Sequence, residues 1–445
     1  MASLYGQGYT AWLRLKQRLK GGSVFDILKE LEQEQFLPVN QLRELQLNRV
    51  NALLRHATER SVFYRERFGG KSPVLTHVEE ITALPLLTRS DLQEHFSSIL
   101  IAGDPSTYAD SSGGSTGNPV NFYHDGRYKE FADALELLFL SWMDILPGDS
   151  SAAFWGADRD FAELSFKEKL AQRLKRTVVL NSFDVTESTM CDYLTRLQAM
   201  APDYIIGYAS SLALAAEVIL RRGGYTIRPR AVRSSAEMLY PAQREMITKA
   251  FGTPVYNFYG SREVSHLAAE CPHHNGLHIF SSGRIVEVCD LDGRPVPDGE
   301  MGYIVVTDLT NFAFPFIRYT IGDMAIMSTT PCPCGRTYPL LKELVGRSTD
   351  ILVVGDRHIH GEFFTHLFYG RPEVRQFQVV QEAANRLRVR IVPRDGAFNT
   401  AEIEQLMRRK AGNEAEIHFD FVDHIPPQKS GKYRFTVNLT TAGKS

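Results

Sequence analysis

The chain has 445 residues, of which 50 are basic and 52 acidic, so its formal net charge is −2 with histidine neutral. That balance gives no electrostatic basis for nucleic-acid binding, which usually depends on a strongly basic surface. A hydrophobic content of 43% with 11% aromatic residues is typical of a globular chain and argues against a disordered one. At roughly 150 residues per domain, the length predicts about three domains, or a large one and a small one.

The amino-terminal segment up to Gly22 has scattered apolar residues and several cations but no continuous apolar stretch, so we expect no secretory signal. The basic, amphipathic stretch from Trp12 to Leu19 is interpreted as a solvated first helix; contact with a membrane surface is the alternative. No apolar run approaches the roughly 18 residues of a membrane span. Five cysteines are too few for a disulfide framework, which favours a reducing, cytoplasmic location.

Apolar residues at helical spacing predict one long helix over residues 38–69, ended by Gly69 and Gly70. Beyond residue 150, short apolar runs alternate with amphipathic patterns, which is typical of a parallel sheet with helices on both faces. The predicted strands lie at 178–180, 203–208, 231–236 and 254–260, and the predicted helices at 186–200, 209–222 and 241–251. Residues 284–289 and 302–309 predict an antiparallel pair joined by Asp292-Gly293.

The sequence changes character after Gly346, where we place a domain boundary. The predicted strands beyond it lie at 350–355, 374–381, 386–393 and 415–422, and the predicted helices near 361–369 and 399–411. The fold class is therefore predicted to be α/β, with a large domain at 1–346 and a small α+β domain at 347–445.

The most informative segment is SSGGSTGNPV at residues 111–120, with three glycines and four hydroxyl residues in its first seven positions. Glycine lets the backbone curl so that successive amides face an anion, and hydroxyl groups add donors, so the segment predicts phosphate binding. It is not a Walker loop, because no lysine follows Gly117. Residues 113–117 also fit the G-x-S-x-G nucleophile elbow of hydrolases, but that motif requires a strand before it and a helix after it.

Five segments together, in the same order, resemble the signature motifs of the adenylate-forming (acyl-adenylate) ligase superfamily. They are SSGGSTGNPV at 111–120, YGSRE at 259–263, FIRYTIGD at 316–323, GRSTD at 346–350 and PPQKSGKYR at 426–434. Within the superfamily the chain looks most like the phenylacetate–CoA ligases and the CapK-like proteins. The resemblance implies a large N-terminal domain of layered mixed sheets and helices that binds ATP and the acid, followed by a mobile C-terminal domain.

The activity implied by this resemblance is that of an acid–thiol ligase, an AMP-forming acyl-CoA ligase. Such an enzyme uses ATP and Mg²⁺ to activate a small carboxylic acid, here expected to be aromatic, and passes the acyl group to coenzyme A. Aromatic residues considered for the acid pocket are Phe122, Phe154, Trp155, Tyr208, Phe258 and Tyr259. Transfer to an amine or a carrier protein is the close alternative; a hydrolase and a non-catalytic zinc-stabilised binding protein are the distant ones.

The resemblance also implies roles for individual residues. Lys432, expected to contact the carboxylate and the α-phosphate, and Glu263, expected to bind Mg²⁺, are the expected catalytic residues. Residues expected to contact the nucleotide are Ser112, Gly113, Gly114, Ser115, Thr116, Gly117, Ser235, Ala236, Glu237, Tyr259, Gly260, Ser261, Asp323 and Arg347. The chain departs from the family pattern at Asn118, where many members have lysine, and at Thr349, which replaces the first aspartate of the hinge pair.

A separate set of residues has the composition of a zinc site. Cys332 and Cys334 form a tight C-x-C pair, and Cys271 and His278 lie about sixty residues earlier. Tetrahedral zinc is bound by four nitrogen or sulfur ligands, usually from two short pairs. His273 or His274 could replace His278, and the sequence leaves that choice open. We expect a structural Zn²⁺, because nothing in adenylation requires a zinc ion.

Overall fold

A computed structural model describes residues 4–112, 120–156, 173–182, 187–347, 352–355, 357–359, 361–368, 371, 373–394, 399–426 and 433–440. Within these ranges the helices are α1 (Leu4–Leu19), α2 (Val24–Glu34), α3 (Val39–Arg60), α4 (Val62–Arg67), α5 (Arg89–Glu94), α6 (Phe96–Ile99), α7 (Gly126–Trp142), α8 (Glu187–Met200), α9 (Ala209–Arg222), α10 (Pro241–Phe251), α11 (Gly361–Phe368) and α12 (Ala401–Ala411). None of these helices has the length and apolar character needed to cross a membrane.

The strands of the first half are β1 (Tyr108–Ser111), β2 (Asn121–His124), β3 (Ser151–Phe154), β4 (Thr177–Leu180), β5 (Tyr204–Tyr208), β6 (Ala231–Ser235), β7 (Val255–Ser261), β8 (Ser265–Glu270) and β9 (Leu277–Ile279). Those that follow are β10 (Arg284–Cys289), β11 (Met301–Asp308), β12 (Tyr319–Met327), β13 (Leu340–Arg347), β14 (Leu352–Val354), β15 (Arg357–Ile359), β16 (Val374–Ala383), β17 (Arg386–Pro393), β18 (Glu416–Phe421) and β19 (Thr436–Asn438).

The prediction of one long helix over residues 38–69 is wrong, because Ser61 divides it into α3 and α4. The Ser61 backbone is extended, with φ −98° and ψ 130°, and its hydroxyl accepts a hydrogen bond from the Tyr64 amide. Serine satisfies a free amide at a helix start in this way, so it begins a new helix and ends the old one. Gly69 and Gly70 follow α4 with positive φ angles, as expected from their lack of a Cβ atom.

The main sheet has eleven strands in the order β10-β11-β12-β13-β9-β8-β7-β6-β5-β3-β4. Strands β3 to β7 are parallel, and β7 to β13 pair antiparallel with their neighbours. The predicted strand–helix alternation and the predicted antiparallel pair β10–β11 are confirmed, as is the α/β fold class. Since the carboxyl ends of parallel strands meet at one edge, Tyr208, Ser235 and the turn after β7 are brought to the same side.

A second group of strands follows β13. Strands β18, β17, β16 and β19 form a four-stranded sheet in that order, and β14 pairs with β15. Its core contains Phe364 of α11, Val389 of β17 and Met407 of α12. The strands predicted at 374–381, 386–393 and 415–422 are confirmed, whereas the three-residue strands β15 and β19 were not predicted because they are too short to show alternation.

Candidate functional site

The glycine-rich segment connects two antiparallel strands, β1 and β2. At its base the Ser112 amide donates to the Val120 carbonyl, and the Val120 amide donates to the Ser112 hydroxyl, both at 2.8 Å. The predicted phosphate-binding residues Gly113, Gly114, Ser115, Thr116 and Gly117, together with Asn118, lie outside the described residues. A nucleophile elbow needs a strand and then a helix, and the β1–β2 hairpin does not provide that framework.

Three predicted nucleotide-binding residues from separate motifs contact one another. The Tyr259 hydroxyl donates to Asp323 Oδ2 at 2.8 Å, and Arg347 Nε lies 3.6 Å from Asp323 Oδ1. Asp323 and Arg347 are register partners across β12 and β13. Burial, and then the Asp323 charge, raise the pKa of Tyr259 well above its usual value, so the phenol stays protonated and acts as the donor.

Glu263 lies in the turn between β7 and β8, with only 8% of its surface exposed. Burial raises the pKa of its carboxyl group, an effect opposed by its hydrogen bonds and by the more distant Arg347 and Arg89. No described cation lies within ion-pair distance of it. The turn is tight: a Cβ atom on Gly260 would lie 2.5 Å from the Ser265 carbonyl oxygen, so only glycine fits there. Glu263 is therefore a buried carboxylate without an ion-pair partner among the described residues. It lies near the base of the glycine-rich segment, since Arg89, whose charge acts on Glu263, also reaches the Ser112 hydroxyl at 3.5 Å.

The predicted adenine-binding segment follows β6, which ends at Ser235. Ala236 has a φ of +67°, an uncommon backbone conformation for a residue other than glycine. Glu237 accepts the Ser210 amide at 2.8 Å on Oε2 and the Tyr433 amide at 2.9 Å on Oε1. Tyr433 directly follows Lys432, which lies outside the described residues, as does Thr349. The carboxyl edge of the main sheet therefore contacts the last motif of the chain.

A cavity of about 590 Å³ opens between the β1–β2 hairpin, α7 and the β7–β8 turn. This volume is in the range of small-molecule sites. Its described lining includes Ser261 and Ser265 from the turn, and Tyr128 and Glu136 from α7. None of the six aromatic residues considered for the acid pocket is in that lining: Phe122 and Phe154, for instance, are fully buried in two different cores.

The cavity is bordered by a charged network that was not predicted from the sequence. Arg233 Nη1 lies 2.8 Å from both carboxylate oxygens of Glu136, and His266 Nε2 lies 2.9 Å from Glu136 Oε2. Burial alone would raise the pKa of Glu136, but the Arg233 charge and the His266 hydrogen bond hold it below its usual value. Burial lowers the pKa of His266, so its ring is neutral at pH 7 and donates to the carboxylate through Nε2. A signal was present: Arg233 interrupts the buried strand AVRSS, and Glu136 interrupts the apolar stretch ALELLFL.

The predicted zinc ligands Cys271, His278, Cys332 and Cys334 are brought together, with all their ligand atoms within 4.8 Å of one another. The sulfur atoms of Cys271 and Cys332 are 3.6 Å apart, which is too far for a disulfide. A tetrahedron with metal–sulfur bonds of about 2.3 Å has sulfur–sulfur edges of about 3.8 Å, so the donor set fits a zinc ion.

The imidazole of His278 is oriented as a metal ligand would be. Its Nδ1 lies 3.2 Å from the Tyr338 carbonyl, to which it donates, and its Nε2 faces Cys334 Sγ at 3.2 Å. A backbone acceptor on the second nitrogen is the usual support of a metal-bound histidine. Burial lowers the pKa of His278 to about 4, which leaves the ring neutral. The alternatives are placed differently, since His274 pairs with Glu270 at 3.0 Å and His273 is exposed.

The chain is similar to known proteins over most of its length. Residues 354–439 match the family model of the CapK C-terminal domain. The chain is 28% identical over 384 residues to a phenylacetate-coenzyme A ligase of Thermus thermophilus, and the match covers 83% of this chain and 82% of the relative. It is 24% identical over 414 residues to protein CapK of Staphylococcus aureus, and that match covers 90% of each chain. These matches confirm the resemblance to the adenylate-forming ligases of the phenylacetate–CoA ligase and CapK type.

The fold is shared with a protein of known structure. A crystal structure of 2-hydroxyisobutyryl-CoA ligase in the postadenylation state aligns with a TM-score of 0.75 at 21% identity and covers 93% of both chains. The prediction of an enzyme, an AMP-forming acid–thiol ligase, is confirmed by the phenylacetate-coenzyme A ligases among the relatives of this chain.

Proposed function

We propose that the chain activates a carboxylic acid with ATP, forming an acyl-adenylate and pyrophosphate, and then transfers the acyl group to coenzyme A. One observation carries the proposal: Tyr259, Asp323 and Arg347 come from three motifs and meet through a hydrogen bond and an ion pair. With one oxygen of Asp323 held by the Tyr259 phenol, the remaining lone pairs can accept the two ribose hydroxyls of ATP. The names of the relatives support coenzyme A as acceptor.

In the first step a carboxylate oxygen attacks the α-phosphorus of ATP, and the bond from that phosphorus to the pyrophosphate oxygen breaks. Both reactants are anions, so the site has to bring a cation between them. Lys432 is proposed for this task, since an ammonium group is a compact charge able to contact two oxygens. Its chain neighbour Tyr433 supports the assignment, because the Tyr433 amide is bonded to Glu237 at the carboxyl edge of the main sheet.

Glu263 is proposed to hold Mg²⁺. The ion prefers hard oxygen ligands, typically one or two carboxylates together with phosphate oxygens and water, and would neutralise phosphate charge when bound. Glu263 fits because its carboxylate is buried and has no ion-pair partner among the described residues.

In the second step the thiolate of coenzyme A attacks the acyl carbon, and AMP leaves with one former carboxylate oxygen. We propose that the chain is divided at residues 346–347 and that the C-terminal part changes its position between the steps, as in domain-closure transitions. The division is supported by the end of the main sheet at Arg347 and by a separate core beyond residue 352. Gly346, with a φ of +107°, is a suitable hinge position.

The Cys/His cluster is proposed to hold a structural Zn²⁺. The four ligands join the β8–β9 connection, through Cys271 and His278, to the loop between β12 and β13, through Cys332 and Cys334. The ion would fix these two segments and takes no part in acyl transfer.

The adenylation step is tested by acid-dependent exchange of labelled pyrophosphate into ATP, with a panel of acids and no coenzyme A. We expect exchange with the wild type and with Lys429→Ala, and a loss of about 10²–10³-fold with Lys432→Ala, the range seen when one transition-state contact is removed. Equal exchange in the two lysine variants would contradict the role of Lys432.

The acceptor is tested separately, with coenzyme A, simple amines and a carrier protein. Formation of acyl-CoA supports the proposal. Turnover with amines alone would favour an amide synthetase, and turnover with the carrier alone a loading enzyme.

A further inference from the structure

We propose that the activated acid is a small polar carboxylic acid whose hydroxyl or ammonium group donates a hydrogen bond to Glu136, and that it is not an arylacetic acid. This inference rests on the proposed adenylation function. It names the substrate class and identifies Glu136 as a specificity-determining residue in the cavity beside the β7–β8 turn.

The position of the cavity relates it to the proposed chemistry. Its lining includes Ser261 and Arg262, the two residues before Glu263, and His124, whose Nε2 lies 3.0 Å from the Glu263 carbonyl oxygen. On α7, Tyr128, Ala132 and Glu136 follow one another at intervals of four residues and so share one face. Eight residues of helix span about 12 Å. An acid with its carboxylate near Glu263 therefore extends along α7 toward Glu136.

The hydrogen-bond count at Glu136 determines what its ligand must offer. An ionised carboxylate accepts about four hydrogen bonds and donates none. Arg233 and His266 make three hydrogen-bond contacts to the Glu136 carboxylate. The Glu136 side chain lines the cavity and is 35% exposed, whereas the Arg233 side chain is only 6% exposed. One acceptor position therefore faces the ligand, and a hydroxyl or ammonium group satisfies it, whereas the edge of a phenyl ring does not.

The network is rigid enough to discriminate. The Arg233 guanidinium lies 3.8 Å from the centre of the Phe258 ring, and His266 Nδ1 lies 2.7 Å from the Ser265 hydroxyl, which donates to it. Glu136 is thereby fixed on both sides and cannot turn away from an apolar ligand. A site built around a substrate donor rejects analogues that lack it by large factors, because the bound analogue covers the acceptor and leaves it without a partner.

The remaining charges of the cavity are paired. Lys129 binds Asp133 at 3.0 Å, and Arg262 lies 3.6 Å from Asp110. Together with the Arg233–Glu136 pair, the described charges of the cavity balance. At the end of the acid away from its reacting carboxylate, this balance favours a group that is neutral or carries its own counter-charge. It disfavours a second free carboxylate there.

The test compares kcat/KM for adenylation of matched acids: butyrate, 3-hydroxybutyrate, 4-hydroxybutyrate, 4-aminobutyrate and phenylacetate. We expect the best hydroxy or amino acid to exceed both butyrate and phenylacetate by about 10²-fold or more. Comparison of the two hydroxybutyrates with 4-aminobutyrate distinguishes a hydroxyl donor from an ammonium donor. Phenylacetate or butyrate as the best acid would overturn the inference while leaving the proposed function intact; no exchange with any acid would overturn both.

The residue assignment is tested with Glu136→Gln. We expect the preference for the donor-bearing acid over butyrate to fall at least tenfold, with an unchanged KM for ATP. If the single variant does not fold, the same preference is measured with the double variant Glu136→Gln/Arg233→Gln, which leaves no unpaired buried charge. Glu130→Gln is the matched control, because Glu130 is also on α7 but bonds to Ser23. A preference retained in the Glu136 variants would overturn the assignment.

Discussion

The prediction that follows most directly from the structure concerns two arginine–aspartate pairs in neighbouring segments. Arg284 and Asp308 join β10 and β11 at 2.6 Å, and both side chains are 0% exposed. Arg294 and Asp292 form a pair of similar length, 3.0 Å, in the connection between the same strands, with side chains 75% and 68% exposed. The two pairs have the same charged groups and differ in burial; Asp308 also accepts hydrogen bonds from the Thr310 amide and hydroxyl.

Removing Asp308 leaves the Arg284 charge without a counter-charge in a dry environment. Such a change costs about 3–5 kcal/mol, whereas breaking an exposed pair costs about 0–1 kcal/mol. For a cooperative unit of roughly 340 residues, with an unfolding entropy of about 2.1 cal/mol/K per residue, these costs correspond to about 4–7 °C and at most about 1.5 °C in Tm.

The assay is thermal unfolding followed by tryptophan fluorescence. All three tryptophans, Trp12, Trp142 and Trp155, precede residue 346, so the signal reports on the large part of the chain. We expect Asp308→Ala to lower the Tm by several degrees and Asp292→Ala to change it little. Equal shifts for the two variants would refute the reasoning from burial.

Three further predictions concern the site. Glu263→Gln should reduce pyrophosphate exchange about 10²-fold or more and raise the Tm at pH 7. The reason for the higher Tm is that the pKa of Glu263 is raised in the folded state, so its ionised form destabilises the fold above that pKa. The difference in Tm between the variant and the wild type should vanish as the pH falls below the usual carboxyl range. Cys334→Ser should lower the bound zinc from one equivalent toward zero, as measured by mass spectrometry of the metal, and should also lower the Tm. The control variant Cys191→Ser should change neither the zinc content nor the Tm. A wild-type protein without zinc would contradict the proposed zinc site. Glu237→Ala removes the acceptor of the Tyr433 amide. It should slow adenylation about fivefold, which corresponds to the loss of about 1 kcal/mol for a typical hydrogen bond. Unchanged exchange would separate this contact from catalysis.

The regular elements could be predicted from local pattern. Helices α9 and α10 have the bounds expected from hydrophobic spacing, because one amphipathic face of each packs on the sheet. The break at Ser61 was missed because the apolar spacing continues through it, and only the extended backbone there reveals the cap. Strand β19 was missed because its three residues are held by a parallel partner, β16, far away in the sequence.

In the candidate site, too, some residues could be predicted from local sequence and others could not. Residues inside contiguous motifs, such as Tyr259 and Glu263, could be named from the resemblance, and the three cysteines of the metal cluster from their spacing. Glu136 could not, because Arg233 and His266 lie 97 and 130 residues away along the chain and their meeting depends on tertiary packing. The choice of His278 over His274 likewise required the Tyr338 carbonyl and the Glu270 carboxylate to be located in space.

The central claim, activation through an acyl-adenylate, is tested most directly by isotope transfer. The acid that supports pyrophosphate exchange is labelled with oxygen-18 in its carboxylate and converted with ATP and coenzyme A, and the products are analysed by mass spectrometry. Because a carboxylate oxygen attacks the α-phosphorus and leaves with it, one labelled oxygen should appear in AMP. Label in inorganic phosphate together with ADP, or unlabelled AMP, would contradict the account.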